Sequence, residues 1–359
     1  MQQITPQWVK AAIAGGAILG GGGGGSVQDG QRFAELALER GVPKVLEVSE
    51  YQDDTLILIV SAVGAPTSKR FPSPTDYVKA VQLLRERVGE IGGLMTNELG
   101  GLAVVNGLLQ SAALGIPLID AACNGRAHPT AAMGSIGLSR KASFVSHQVG
   151  VGGFNDDGSR VEIYAKGTLS ATSRVIRKAA EIAGGAIAVA RNPIPASYVR
   201  ENAAVGALSQ AVRVGNAFLE GKSGLERIKK AVSAVHGRVV TQGRVNDLEL
   251  ATEGGFDVGK VSIQGYTMTF WNEYMTLEKD IERLATFPDL IVTMVTQTGK
   301  PVSSAELQEG QEITVFVVPK EDLILGAGMR DPELFRDVEK VVRKEIVRYV
   351  FQRKTENAR

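Results

Sequence analysis

The segment Thr55-Leu-Ile-Leu-Ile-Val60 is followed by Ser73-Pro-Thr-Asp76 and then by apolar residues at helical spacing as far as Val88. Its first part is an uninterrupted apolar run, which is typical of a strand buried on both faces of a parallel sheet. Its second part predicts a helix from Pro74 to Val88, because a capping serine and an early proline precede the apolar positions. Together they indicate the strand and helix unit of an α/β fold.

Neighbouring segments continue this alternation on both sides. The predicted strands are Lys44 to Val48 and Ile116 to Asp120, and the predicted helices are Val27 to Arg40, Asn97 to Leu114, Ser170 to Ala183 and Ala203 to Glu220. A proline-rich turn, Asn192-Pro-Ile-Pro195, separates the last two helices. Because strand, helix, strand order implies right-handed crossovers in a parallel sheet, we expect a three-layer α/β/α body with a mainly parallel sheet.

The pattern changes near His236. From there the chain has short β-branched segments separated by Gly, Asp and Pro, which predicts a smaller β-barrel-like or β-sandwich domain. An amphipathic helix from Pro332 to Phe351 follows. We therefore predict an α/β/α body formed by residues 1–235 and 322–359, with a β domain at 236–321 inserted before a helix that packs back on the body. Two sequential domains are the alternative.

Composition narrows the classes of partner. The chain has 40 basic and 39 acidic residues, so it shows no charge excess that would suit nucleic acid or a membrane surface. No apolar run approaches the ~20 residues of a membrane span. The one cysteine, Cys123, excludes an internal disulfide and a multi-thiolate zinc site. These features predict a cytoplasmic protein that binds a small molecule.

Six consecutive glycines, Gly20 to Gly25, precede the predicted helix at Val27. Glycine lets another group approach the backbone closely, and the N-terminus of a helix offers unpaired N–H groups to an anion. Neither the Lys-Ser/Thr of a P-loop nor the acidic residue of a dinucleotide site accompanies the run, so no nucleotide cofactor is expected. A ligand-facing loop and a plain tight connection both fit this pattern.

Several motifs in order along the chain resemble those of one family. They are Gly20 to Gly25, Gly64-Ala-Pro-Thr67, Asn97-Glu-Leu-Gly-Gly101, Gly115-Ile-Pro-Leu-Ile-Asp120, Gly125-Arg-Ala127, Gly254-Gly-Phe-Asp257, Asn272-Glu273, Pro288-Asp-Leu-Ile291 and Gly310-Gln311. This order is similar to that of the S-methyl-thiohydantoin desulfurase family, which often accompanies hydantoinase or oxoprolinase-type enzymes. The resemblance spans nearly the whole chain. It implies an α/β/α body with a β domain and a small cyclic nitrogen heterocycle as ligand.

One segment departs from the pattern of that family. Where the family tends to read Asp-x-Asp-Gly-Met-Gly-Arg-Ala-Phe-Pro-Glu, this chain reads Asp120-Ala-Ala-Cys-Asn-Gly-Arg-Ala-His-Pro-Thr130. Two carboxylates are therefore replaced, by Ala122 and by Thr130. We expect this chain to share the fold of the family. Its substrate, or its ability to catalyse the reaction at all, is not fixed by the resemblance.

The resemblance and the strand ends together suggest a site. Glu98, Asp120, Arg126 and His128 are the candidate catalytic residues, with Glu98 or Asp120 as a base and Arg126 as a bidentate partner for an anion. The candidate substrate-binding residues are Gly22, Gly23, Gly24, Gly25, Ser26, Pro66, Thr67, Cys123, Asn124, Asn272 and Glu273. A divalent metal, should one bind, is expected at Asp120, Cys123 and His128. The cleft is predicted between the glycine run, the end of the strand at Asp120 and residues Asn124 to His128.

Each candidate also has a purely structural interpretation. Asp120 at a strand end would cap a turn, Glu98 would favour a helix dipole, and Arg126 would pair a structural carboxylate. Cys123 would be a small buried residue.

Three functions are compatible with the sequence. The first is a hydrolase that attacks a ring carbon of a hydantoin-like heterocycle with water and releases a thiol or an amine. The alternative is a non-catalytic subunit or small-molecule binding protein with the same fold, and a nucleotide-binding enzyme is third. A homo-oligomer is expected from base rates, and the protein is expected to act beside hydantoinase or oxoprolinase-type enzymes.

Overall fold

The computed structural model describes residues 2–64 and 71–352, which form two β-sheets and ten α-helices. The helices are α1 (Pro6–Leu19), α2 (Val27–Arg40), α3 (Pro74–Val88), α4 (Leu108–Leu114), α5 (Leu169–Ile182), α6 (Ala196–Asn202), α7 (Ala207–Leu219), α8 (Gly224–Ala234), α9 (Pro332–Val342) and α10 (Val347–Phe351). Within these ranges no helix has the length and apolar character needed to cross a membrane.

The first sheet has nine strands within the described residues, ordered β1-β2-β5-β4-β3-β8-β6-β7, with β9 paired to β5. The strands are β1 (Gln2–Gln3), β2 (Lys44–Leu46), β3 (Leu56–Gly64), β4 (Gly93–Thr96), β5 (Leu118–Ala122), β6 (Ser146–Gly152), β7 (Val161–Gly167), β8 (Ala186–Pro195) and β9 (Ala204–Val205). Strands β2, β5, β4 and β3 are mutually parallel, as predicted. Beyond β3 the sheet continues antiparallel through β8, β6 and β7.

Helices cover both faces of this sheet. Along β3, Leu58 and Val60 point to one face and join the core formed with α3, whereas Ile57 and Ile59 point to the opposite face and pack with α6. Val63, farther along the same strand, joins the core made with α5. This alternation follows from the two-residue period of a strand, and it produces the α/β/α layering.

Helices α1 and α7 approach each other at two glycines. A Cβ built on Gly15 would lie 1.8 Å from the carbonyl oxygen of Ala211, and one built on Gly215 would lie 1.8 Å from that of Ala11. Only glycine fits at such a backbone distance. The apolar stretch before the glycine run is therefore the last turn of α1, a helix that contacts a segment some 200 residues later in the chain.

The second sheet is antiparallel throughout, as predicted, with the order β14-β13-β12-β11-β10-β17-β15-β16. Its strands are β10 (Arg238–Glu253), β11 (Phe256–Ile263), β12 (Tyr266–Trp271), β13 (Glu273–Lys279), β14 (Glu282–Thr286), β15 (Leu290–Val295), β16 (Pro301–Val302) and β17 (Glu312–Val318). The long strand β10 pairs with β17 through its first half and with β11 through its second, and bulges in it bend the sheet around an apolar core. The other face of β15 and β17 packs on the helices of the body.

The predicted helix from Asn97 to Leu114 is wrong over its first half. Residues 103–105 form one 3-10 turn, and the α-helix begins only at Leu108. Gly107 has φ +99°, which interrupts the helix, and the backbone of Gly100 lies directly against that of Gly24. The segment after β4 is therefore a loop that presents its side chains at the sheet edge.

The predicted proline turn from Asn192 to Pro195 is also wrong, because these residues form the end of β8. The strand pairs with β3 across a register shift between Ile57 and Ile59, and such an irregularity accommodates proline in a strand. Sequence analysis also did not identify β6 and β7.

The predicted C-terminal helix is interrupted, and it packs on a different partner. Arg343 has φ +54°, which ends α9. The apolar face of α9 packs on the second sheet, strands β10 to β17, which we call the β module. The rings of Phe335 and Phe287 have centroids 5.6 Å apart, and Val338 lies in the same cluster. Packing of this helix on the α/β body was thus predicted wrongly. The boundaries of the two domains remain a prediction.

Candidate functional site

A cavity of about 110 Å³ lies at the edge of the first sheet where β3 and β4 end. Its walls come from segments far apart in the chain. The first sheet edge contributes Ser61 to Gly64, Asn97 and Glu98, and residues 128–131 follow β5. Arg177 comes from α5 and Arg191 from β8, while Asn272 and Glu273 come from the second sheet. Gly24 and Gly25 complete the wall. Ligands of open α/β sheets bind at the carboxyl ends of strands, so this cavity is the candidate site.

A tight turn after β4 brings Glu98 to the cavity. The hydroxyl of Thr96 donates to the carbonyl oxygen of Ala103 at 2.6 Å and approaches that of Glu98 at 3.3 Å. These bonds fold the loop back on the strand end, so that Glu98 follows directly at the sheet edge. The side chain of Glu98 is 17% exposed and lines the cavity.

Hydrogen bonds fix His128 beside the Glu98 carboxylate. Arg191 Nη2 donates to Asn97 Oδ1 at 3.1 Å, which leaves Asn97 Nδ2 to face His128 Nε2 at 3.2 Å. The other ring nitrogen, Nδ1, lies 3.3 Å from Asn124 Nδ2 and 3.2 Å from Glu98 Oε2. The hydrogen bond to the carboxylate comes from the backbone, since Glu98 Oε2 accepts from the N–H of His128 at 3.1 Å. This bond orients one oxygen of the carboxylate.

Burial sets the protonation states of His128 and Glu98. Burial, with the nearby Arg191 charge, lowers the pKa of His128 to about 3, so the imidazole is neutral and its contact with Glu98 is not an ion pair. Burial raises the pKa of the Glu98 carboxyl to about 7, against the lowering effect of the His128 N–H and of the arginines. Glu98 is thus suited to exchange a proton near neutral pH.

Glu273 provides a second carboxyl group from the β module. It is 2% exposed, and its Oε2 has no hydrogen-bond partner. Burial, with the Glu98 charge, raises the pKa of Glu273 well above its usual value. Glu273 is therefore the protonated member of the pair, and Glu98 is the member that ionises first. Environments that separate two carboxyl pKa values are typical of acid and base assignments.

Three arginines surround this pair. Burial lowers the pKa of Arg126 and of Arg177 to about 10 each and also lowers that of Arg191. All three remain charged at neutral pH. Arg177 and Arg191 line the cavity, whereas Arg126 does not.

Arg126 connects the two halves of the molecule. It is 0% exposed, its Nη1 donates to the carbonyl oxygens of Pro288 and Asp289 at 3.0 and 2.6 Å, and its guanidinium lies 4.4 Å from the ring centroid of Phe287. These contacts hold Pro288 and Asp289, which directly precede β15, against the loop after β5. The structure thus favours the structural interpretation of this candidate.

We expect Arg126→Lys to lower stability rather than affinity. A point ammonium does not reproduce the planar stack and the paired donation, so the free energy of unfolding should fall by about 1.5–3 kcal/mol. Thermal unfolding measures this loss, and calorimetric titration below the melting temperature measures ligand affinity. Normal stability with weakened binding would return Arg126 to the site.

The glycine run packs tightly between the two halves. Gly21 O accepts from the N–H of Tyr274 and Gly22 O from that of Ser304, while Gly24 O accepts from the N–H groups of Leu102 and Ala103. A Cβ on Gly23 would meet Oε1 of Glu273 at 2.0 Å. Of the predicted glycines, Gly24 and Gly25 line the cavity, and Gly22 and Gly23 lie behind it.

Ser26 and Asp120 cap helices. The Ser26 hydroxyl accepts from the N–H of Asp29 at the start of α2. Asp120 lies within β5 rather than at its end, because the strand continues to Ala122, and its carboxylate accepts from the N–H of Ser209 at 3.0 Å in the first turn of α7. The structure does not bring Asp120 to the cavity.

The remaining candidates lie as follows. Cys123 is fully buried, and burial raises the pKa of its thiol to about 12. Asn124 is buried behind His128, with its Oδ1 accepting from the N–H of Gly326. Asn272 lines the cavity next to Glu273, as expected, while its Oδ1 accepts from the N–H of Asp257. Pro66 and Thr67 lie outside the described residues.

The donor set does not fit the metal site considered from the sequence. Within residues 2–64 and 71–352 no group of three or more His, Cys, Asp or Glu side chains is arranged to hold an ion. Of the three candidates, His128 bonds to Glu98 and Asn97, Asp120 bonds to Ser209, and Cys123 lies in an apolar core.

Sequence analysis missed Arg177, Arg191 and Asn97 as site residues. Arg191 follows the apolar run Ala186-Ile-Ala-Val-Ala190, so a charged residue directly after a buried strand was the available signal. This signal was not used, because residues Asn192 to Pro195 were predicted to form a turn. Arg177 lies on the amphipathic helix α5, where nothing in the sequence distinguishes it from a solvated residue.

The fold and the cavity define a two-domain α/β protein with paired carboxyl groups between an α/β layer and a β module. The chain belongs to the S-Me-THD-like family: residues 7–148 match the family's N-terminal domain and residues 168–328 its C-terminal domain. The resemblance to S-methyl-thiohydantoin desulfurases is thereby confirmed. These domain limits place the division before α5.

A solved structure shares the whole fold. The crystal structure of a protein from Chromobacterium violaceum matches with a TM-score of 0.70 at 20% identity, covering 95% of this chain and 96% of that one. At this identity the likeness shows the fold alone. No curated protein matches the chain.

Proposed function

We propose that the chain is a hydrolase of a small five-membered nitrogen heterocycle of S-methyl-thiohydantoin or hydantoin type. The observation that carries the proposal is that Glu98 and Glu273, from the two halves of the chain, border one cavity and both have raised carboxyl pKa values. Such a pair suits a reaction that needs a base and an acid together. Membership of the S-Me-THD-like family supports the ring class.

The size of the cavity supports a single ring. A volume of about 110 Å³ is well below the roughly 300–1,000 Å³ of pockets for drug-sized ligands. A cavity of about 150 Å³ holds benzene, so one five-membered ring is the size class that fits. Nucleotides and peptides are far larger.

In the proposed reaction, Glu98 takes a proton from water as the water oxygen attacks the ring carbon between the two nitrogens. With an S-methyl substrate, the attack opens the ring C=N bond and leaves the negative charge on nitrogen. The tetrahedral centre then breaks its C–S bond, the hydroxyl proton passes to that nitrogen as the ring carbonyl forms, and Glu273 gives its proton to the departing methanethiolate. Transfer of the proton from Glu98 to Glu273 restores both carboxyl groups. The products are the hydantoin and methanethiol. Opening of a hydantoin itself would break a C–N bond instead, with the proton going to nitrogen.

The other polar groups act on Glu98. The backbone N–H of His128 keeps the carboxylate oriented with one oxygen bonded, Asn97 holds the neutral ring beside it, and Glu98 Oε1 has no bonding partner among the described residues. Preorganised groups of this kind need no rearrangement during the reaction. In this scheme His128 positions the base and does not itself transfer a proton.

The second candidate function is a non-catalytic binding protein of the same fold. Thr130, which stands where the family tends to have an acidic residue, lines the cavity, so one carboxyl group is missing from its wall. Ala122 is fully buried in the core beside the helices, so the other replacement does not alter the wall.

Turnover of matched rings tests the proposal. The full chain is incubated with S-methyl-thiohydantoin, hydantoin and a five-membered lactam, and thiol release and ring products are measured in parallel. We expect methanethiol and hydantoin in equal amounts from the first substrate, or ring opening of the second. Saturable ring binding without any product would support the binding protein and contradict the hydrolase.

A further inference from the structure

Two arginines of the cavity have no ion-pair partner within residues 2–64 and 71–352. Arg177 Nη1 donates to the carbonyl oxygen of Gly255 at 3.0 Å, and its guanidinium lies 4.0 Å from the ring centroid of Phe256. Arg191 donates through Nη2 to Ser61 and Asn97. Among the described residues no carboxylate lies within 4.0 Å of either guanidinium. The other donors of both forks are therefore free to bind a ligand in the cavity that both residues line.

The charges in and around the cavity do not balance. Arg126, Arg177 and Arg191 interact electrostatically with Glu98, and Glu273 is the protonated carboxyl group. Arg191 also repels Arg177: burial first, and then the nearby Arg191 charge, lowers the pKa of Arg177, against the raising effect of Glu181 and the cavity carboxyl groups. Buried like charges without a counter-charge are unfavourable in a folded protein. A negative group between them would relieve this repulsion.

We propose that Arg177 and Arg191 form an anion clamp, and that the ring this protein binds carries a carboxylate substituent. This inference rests on the proposed function for the identity of the ring, and it adds that the substrate is negatively charged. A planar guanidinium fork matches the two oxygens of a carboxylate, and two such forks from α5 and β8 approach from different elements. The apolar residues Ala62, Val63 and Ile176 of the same wall leave the ring itself an apolar surface.

The negative charge has a second source, the ring itself after loss of its imide proton. Both sources place two electronegative atoms opposite a guanidinium. These are two oxygens in a carboxylate, and an oxygen and a nitrogen in a deprotonated ring. A carboxylate and its carboxamide on the same ring distinguish them, because only the substituent changes charge. The test therefore uses hydantoin-5-acetate and hydantoin-5-acetamide as probes.

Calorimetric titration of the full chain at one neutral pH measures both affinities. We expect the acid to bind at least tenfold more tightly than the amide, since a hydrogen bond to a charged group is worth roughly ten- to a hundredfold in affinity. In Arg177→Met this preference should fall markedly, because one fork is lost, while amide binding changes little. Arg174→Met, an exposed arginine one turn earlier on α5, should keep the preference. Arg191 is not used, because it also orients Glu98 through Asn97.

Each outcome decides a separate question. Equal binding of acid and amide overturns the carboxylate and leaves the hydrolase proposal standing, and a loss of both affinities in Arg177→Met would then assign the charge to the ring. Unchanged selectivity in Arg177→Met overturns the clamp. Succinate binding that depends on Arg177, without binding of either hydantoin, supports the clamp and overturns the ring assignment. Should Arg177→Met fail to fold, Arg177→Lys replaces it, and its acid preference should fall because one fork is lost.

Discussion

Replacement of Glu98 by glutamine is expected to lower kcat for ring hydrolysis by about 10²- to 10⁴-fold, the usual contribution of a general base. The amide keeps the size of the side chain and an oxygen that accepts from His128, so the fold and ring binding should persist. Turnover of the S-methyl ring and calorimetric binding are measured on the same preparation. Glu90→Gln, at an exposed position away from the cavity, is the matched control and should leave kcat unchanged.

The pH profile of the unsubstituted protein gives an independent check of the same assignment. Because the pKa of Glu98 is raised to about 7, the base is protonated below that pH and ionised above it. We expect kcat/KM to fall about tenfold per pH unit below 7 and to level off above it. An acid limb centred near the ordinary glutamate value would contradict this role for Glu98, as would full activity in Glu98→Gln.

Replacement of Gly24 by alanine is expected to destabilise the protein by about 2–5 kcal/mol. Two effects add. Gly24 has φ +78°, which disfavours any Cβ by about 1–2 kcal/mol, and the new Cβ would lie 2.5 Å from Cα of Gly100, where overpacking costs about 1–3 kcal/mol. Urea unfolding of both proteins, followed by circular dichroism, measures the change in unfolding free energy.

Gly115→Ala separates these two effects. Gly115 also has a positive φ, +69°, but a Cβ there would have no neighbour within 4 Å. It should therefore lose only the conformational part, about 1–2 kcal/mol. Equal losses in the two variants would show that the contact between the glycine run and Gly100 adds nothing to stability.

Local signals predicted two of the helices with their bounds. Helices α2 and α3 begin and end where the sequence indicated, because Ser26 caps one and Ser73 with Asp76 caps the other. The strands β6, β7 and β8 were not identified, since glycines and prolines interrupt their pattern and their stability comes from pairing with β3 and with one another. Tertiary pairing of this kind leaves little trace in a short window.

The candidate site was predicted only in its residue types. Glu98 was identified from a family motif and His128 from the segment that follows the predicted strand at Asp120, and the structure brings them together at 3.2 Å. Their relation to Glu273 and Arg191 depends on how the β module and β8 pack against β4, which no local pattern specifies. Asp120 was misplaced because the sequence did not show that β5 runs two residues further, to Ala122.

The close approach of α1 and α7 at Gly15 and Gly215 affects the order in which the chain acquires structure on the ribosome. Domains usually fold from the N-terminus as they emerge, at about 5–20 residues per second. Helix α1 also contacts α2, but the face that carries Gly15 lacks its partner until α7, which ends at Leu219, has left the exit tunnel. The contact of Ala11 with Gly215 therefore forms only after more than half of the chain has been made. We infer that this part of the body acquires its native packing late in synthesis.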